Sequence, residues 1–184
     1  YIMLLCILVL GMLSSFAMYS TDGGELLYHS KSHIIRFVVF FTMMIFLSFI
    51  NIKTWHTLGY LFYIIVLGLL MWASLFGITA QGSQRWINLY FINLQPSELM
   101  KIAIIICFAK YYHRIQLSNV NKVTNIIIPI FILFVPIALV ISQPDLGTSI
   151  LIALSGIIVL WLAGVNIKYF FYTSLVFVIS APFI

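Results

Sequence analysis

The chain has 184 residues, 64% of them hydrophobic and only 7% charged, with a formal net charge of +5. Soluble domains sit nearer half apolar and a quarter charged, so a water-soluble globule is excluded. The cations are scattered along the chain and not gathered on one basic face, which argues against a nucleic-acid partner.

The sequence opens inside an apolar run, 1–19, and further runs follow at 34–50, 58–78, 96–112, 126–142, 148–164 and 169–184. Each is close to the length that crosses roughly 30 Å of hydrocarbon as a helix. Lipid offers backbone groups no partner outside the segment, so these seven runs predict an all-α, polytopic transmembrane bundle. The alternating segments of a membrane barrel are missing from the pattern. No soluble domain fits in the connecting loops, so residues 1–184 read as one integral-membrane domain. The first and last residues, Tyr1 and Ile184, both fall within apolar runs, and the sequence reads as a piece of a longer bundle. No basic region precedes the first run, which argues against a signal peptide. Cys6 and Cys107 lie in apolar runs and read as buried thiols without a disulfide or redox message.

The loops alternate between two sides. On one side, loops 20–33, 79–95 and 143–147 bring Lys31, Arg36 and Arg85 together with all four acids, Asp22, Glu25, Glu98 and Asp145. The other side carries Lys53, Lys110, Arg114, Lys122 and Lys168 and no acid. Basic residues mark the cytoplasmic face, so the acid-bearing side is expected outside. His29, His33, His56 and His113 sit at span edges without metal-ligand spacing and read as interface histidines.

Three outer stretches concentrate chemistry. In "GSQRWINLYFINLQ", apolar and polar residues partly alternate, which predicts a short surface hairpin. Arg85 beside Trp86 offers a guanidinium for phosphate oxygens and an indole for a sugar or lipid face; a surface cation and an aromatic belt are the plainer alternative. In "LQPSELMK", Gln95 precedes a helix with Pro96 in its first turn. Ser97 and Glu98 follow, the acid favoured by the helix dipole, and Lys101 shares the face of Glu98 at i+3. The pair reads either as a capped start with a snorkelling lysine or as an interior pair shaping a polar cavity. If the pair is buried, Glu98→Ala would cost on the order of 3 kcal/mol. In "SQPDLGTS", Gln143-Pro144 opens the sixth run with Asp145 in its first turn, Gly147 allows a close backbone approach, and Thr148 and Ser149 can satisfy helix carbonyls or a neighbour.

These same stretches, "GSQRWINL", "LQPSELMKIA" and "QPDLGTSILIALSG", resemble the SEDS family of shape, elongation, division and sporulation proteins, typified by RodA and FtsW, with "PDLGTS" closer to RodA. The resemblance covers essentially the whole chain. It implies a ten-span enzyme of the bacterial inner membrane that polymerises a lipid-linked disaccharide-pentapeptide (lipid II) into glycan strands. A sugar hydroxyl of the acceptor attacks the anomeric carbon of the donor, and undecaprenyl pyrophosphate leaves. It also implies a class B penicillin-binding protein as partner, besides membrane lipid. Arg85, Trp86, Glu98, Lys101 and Asp145 match its motifs, while the aspartate that the family uses as base is expected beyond Ile184. A lipid II transporter, or a non-catalytic scaffold for the partner, are the alternatives. The residues fix no cofactor; a divalent metal ion with the pyrophosphate is the one candidate.

Overall fold

The structure, a computed structural model, describes residues 2–80, 83–88 and 93–170. The chain divides into two compact units, Tyr1–Asn51 and Ile52–Ile184.

The first unit is a helical hairpin of α1 (Ile2–Thr21) and α2 (Tyr28–Ser48). Its closest approach is set by Gly11, where an added Cβ would lie 2.1 Å from the Phe37 ring, so only glycine lets that ring lie across α1. The turn supplies the cap of α2. Leu27 at the N-cap has no side chain able to accept a hydrogen bond. Asp22 reaches across in its place and accepts from the Ser30 amide at 2.9 Å and the Ser30 hydroxyl at 2.6 Å.

The second unit runs α3 (Ile52–Phe76), β1 (Ile78–Ala80), β2 (Ser83–Asn88), β3 (Asn93–Leu94), α4 (Pro96–His113), a short 3-10 turn (Leu117–Asn119), α5 (Val123–Ser142) and α6 (Leu146–Leu162). Helices α1, α2, α3 and α5 are long and apolar enough to cross a membrane, and α6 is a shorter apolar helix. The all-α membrane architecture expected from the sequence is borne out. The expected seventh run, 169–184, lies almost wholly outside the described residues.

Helix α4 carries Glu98, Lys101 and Lys110, yet it sits at the centre, packed on α3, α5, α6 and β2. A helix poor in lipophilic surface is best placed where protein covers it. Gly59, Tyr63, Val66, Leu70 and Ala73 recur every three or four residues on α3 and form one buried stripe. Opposite them Met100, Ala103, Ile104 and Phe108 of α4 are fully buried.

Helix α5 contains two buried prolines, Pro129 and Pro136. A proline removes the N–H that would satisfy the carbonyl four residues earlier, and in lipid no water replaces it. The orphaned carbonyls are those of Asn125 and Ile132. Each is met by a buried phenol from a neighbouring helix. Tyr112 on α4 donates to the Asn125 carbonyl at 2.9 Å, and Tyr63 on α3 donates to the Ile132 carbonyl at 2.7 Å.

The sequence expectations for two residue types need correction. Cys107 is buried, but Cys6 is exposed on α1, because that helix has a neighbour on one side only among the described residues of its unit. Among the described residues an added Cβ at Gly147 would meet only the Asp145 carboxylate, at 3.9 Å, and no backbone approaches it. The close approach belongs to Gly156, where an added Cβ would lie 2.6 Å from the Leu133 side chain and push α5 from α6.

Candidate functional site

The starts of α4 and α6 and the sheet that follows α3 lie at one end of the second unit. The sheet is antiparallel in the order β1-β2-β3, with Ile78 opposite Trp86 and Ile87 opposite Leu94. Side chains alternate across a strand, so Arg85 and Trp86, adjacent in sequence, project from opposite faces of β2. A single guanidinium–indole platform is therefore not what the hairpin presents.

Arg85 turns to α6. Its Nη1 lies 2.9 Å from Oδ2 of Asp145, whose side chain is only 9% exposed. Asp145 is the N-cap of α6 and stands just outside the first turn in which the sequence placed it. Its Oδ1 accepts from the Thr148 amide at 3.1 Å, and its Oδ2 also accepts from the Thr148 hydroxyl at 2.8 Å. Burial pushes this carboxyl's pKa up, but the Thr148 amide and hydroxyl and the nearby guanidinium outweigh it and hold the group below its usual range. Both oxygens of Asp145 are engaged, which makes it a clasp between hairpin and helix and a poor proton acceptor. Ser149 donates to the Leu146 carbonyl at 2.8 Å and takes no part in the clasp.

At the start of α4, Pro96 occupies the first turn and Gln95 is the N-cap, its side chain making no capping bond. The Gln95 carbonyl accepts from the Glu98 amide at 3.1 Å. Pro96 and Ser97 are buried. Lys101 Nζ reaches both Glu98 oxygens, at 2.9 and 2.8 Å. The side chain of Glu98 is 55% exposed, however, and that of Lys101 24%. The pair lies at the margin of the described residues and does not face their interior. The four charged residues thus form two separate ion pairs, Arg85–Asp145 and Glu98–Lys101.

Sequence reasoning placed Gln143 before Pro144 but missed its contact with α3. It is 5% exposed, and its side-chain amide donates to the Leu70 carbonyl at 3.4 Å, tying the α5–α6 turn to α3. A glutamine between an apolar run and a proline was the available signal. Among the described residues no group of three His, Cys, Asp or Glu stands together to hold a metal. The two carboxylates of this end are both in ion pairs.

Comparison with known proteins gives a consistent result. The family model FTSW_RODA_SPOVE, described as "Cell cycle protein", matches residues 1–184. The chain is 34% identical over 164 residues to the peptidoglycan glycosyltransferase MrdB of Escherichia coli K12, an alignment covering 89% of this chain and 44% of that protein. It is 30% identical over 181 residues to a probable peptidoglycan glycosyltransferase FtsW of Buchnera aphidicola subsp. Baizongia pistaciae, covering 96% and 47%. The chain spans about half the length of the curated relatives it matches. The fold is similar to a chain from a solved structure described as "Structural coordination of polymerization and crosslinking by a peptidoglycan synthase complex", with a TM-score of 0.82, 20% identity and coverage of 97% of this chain and 51% of that one. It is also similar to the crystal structure of the Thermus thermophilus rod shape determining protein RodA, with a TM-score of 0.77, 18% identity and coverage of 92% and 56%.

Proposed function

The chain belongs to the FtsW/RodA/SpoVE family of cell cycle proteins, and from that premise we propose that it is part of a peptidoglycan glycosyltransferase that polymerises lipid II in cell-wall elongation and shape maintenance. The family model runs through both compact units, which supports reading residues 1–184 as one integral-membrane domain.

The observation that carries the reading is the segregation of charge along the second unit. Its only acids, Glu98 and Asp145, gather with Arg85 and Lys101 at one end. Lys53, Lys110, Arg114, Lys122 and Lys168 occupy the other, with no acid. The basic end is cytoplasmic by the positive-inside rule, which makes the motif-bearing end periplasmic in an inner membrane. Polymerisation from a lipid-linked donor happens at that surface. The leaving pyrophosphate needs cations, and Arg85 and Lys101 are the two this end offers, each held in place by a carboxylate until the anion arrives. Gln95, Ser97 and Thr148 shape the helix starts around them, and Trp86, on the other face of β2, is available to a sugar or acyl surface. The attack on the anomeric carbon is assigned to no residue of this chain, because Asp145 has no free oxygen. A class B penicillin-binding protein is the proposed partner.

The test is polymer formation. The purified protein carrying this chain, given lipid II in detergent with its partner, is expected to produce glycan strands, and Arg85→Ala to reduce them. Detergent removes the need for flipping, so no polymer from an active complex would favour the transporter reading. Unchanged polymerisation after removal of either cation would overturn its role at the leaving pyrophosphate.

A further inference from the structure

A second charged locus lies on the α1–α2 unit, apart from the motifs above. His29, His33 and Arg36 stand at i, i+4 and i+7 on α2, one face of the helix. Together with Met18, Phe37 and Phe40 they line a cavity of about 550 Å³. His33 is held there by a 2.6 Å hydrogen bond to the Ser14 hydroxyl of α1. Asp22 sits near His29, but its carboxylate is committed to the amide and hydroxyl of Ser30. Arg36 is exposed and makes no ion pair or hydrogen bond among the described residues. It stands eight residues past the start of α2, about 12 Å along the axis. An uncompensated guanidinium at that depth of a span-length helix is costly unless an anion meets it.

A second, apolar cavity of about 430 Å³, lined by Gly11, Met12, Phe16, Leu26 and Ile34, also touches Phe37, whose ring packs over Gly11. A cationic recess beside a span-length apolar helix matches the anionic head of an amphiphile whose tails lie in the surrounding bilayer. We propose that the α1–α2 hairpin binds an anionic glycerophospholipid, its phosphate on Arg36 with His29 and His33 beside it. This inference does not rest on the glycosyltransferase reading.

The purified protein is examined by native mass spectrometry with phosphatidylglycerol and, separately, phosphatidylcholine. Phosphatidylglycerol is expected to be retained preferentially. Arg36→Gln is expected to weaken it about fivefold, the effect of one cation near an anionic headgroup, while Arg36→Lys keeps most of the affinity. Inorganic phosphate in excess should not displace the lipid. Equal retention of the two lipids, or an unchanged affinity in Arg36→Gln, overturns the proposal. Displacement by phosphate overturns it in favour of a soluble-anion site. Should Arg36→Gln fail to fold, Arg36→Met takes its place, and an unchanged affinity there overturns the proposal equally.

Discussion

Replacing Tyr63 by Phe removes one oxygen and leaves the Ile132 carbonyl without a donor. The hydrogen bond is 2.7 Å long, and Tyr63 is 9% exposed. A buried acceptor stripped of its partner costs about 1–3 kcal/mol in proteins generally, and interhelical hydrogen bonds measured in membranes fall at the low end, to about 1.7 kcal/mol at most. We therefore expect Tyr63→Phe to cost about 1–2 kcal/mol. The cause is the proline four residues on, which gives a sharper test than the single variant. Pro136→Ala restores the N–H that reaches the Ile132 carbonyl along α5. In that background the phenol is redundant, and Tyr63→Phe should cost no more than a few tenths of a kcal/mol. The double-mutant coupling is thus expected near 1 kcal/mol. Reversible unfolding in mixed micelles, followed by circular dichroism, measures all four corners. If Tyr63→Phe costs the same with proline or alanine at position 136, the phenol is not compensating for the proline, and the argument fails.

The same logic makes Tyr112→Phe destabilising with Pro129 present and nearly silent in Pro129→Ala, read by the same unfolding assay. Asp145→Ala should lower stability by about 2 kcal/mol, through loss of the α6 cap and of the partner of Arg85. Arg85→Ala, at a half-exposed position, should cost about 1 kcal/mol or less, and the ordering of the two thermal shifts checks the clasp. Glu98→Ala should cost under about 0.5 kcal/mol, because Glu98 is exposed; a loss near the 3 kcal/mol of a buried pair would show that protein covers it. The Asp145 carboxyl is held below its usual range, so its contribution is complete above the unfolded value of about 3.9 and disappears as pH falls through the lower folded pKa. Acid titration of the unfolding midpoint should therefore show a loss below about pH 4 that is missing in Asp145→Asn.

The spans were legible because a membrane helix announces itself by length and apolar content: 126–142 falls within α5, and 34–50 overruns the end of α2 by two residues. The helix starts at Pro96 and beside Asp145 were legible for a local reason: a proline or an acid is tolerated there and disfavoured a turn later. Pairings over long distance were not. Nothing in the sequence couples Arg85 to a carboxylate sixty residues away, and the i, i+3 spacing of Glu98 and Lys101 gives a shared face without saying which way that face points. Glycines show the same limit. Gly147 and Gly156 look equivalent in the sequence, and only the approach of Leu133 shows that packing depends on the second. Tyr63 and Tyr112 read as ordinary span aromatics until the carbonyls freed by Pro136 and Pro129 are located.

Those two phenols have a consequence for biogenesis. A segment with two missing rungs in its ladder is a poor substrate for insertion, since each gap exposes a bare carbonyl to oil. Translation runs from α3 and α4 to α5, so both tyrosines are already in the bilayer when the proline-bearing segment emerges. Synthesis order thus supplies the donors before the acceptors need them, and a circular permutant that made α5 first would be expected to stall at the translocon or be degraded.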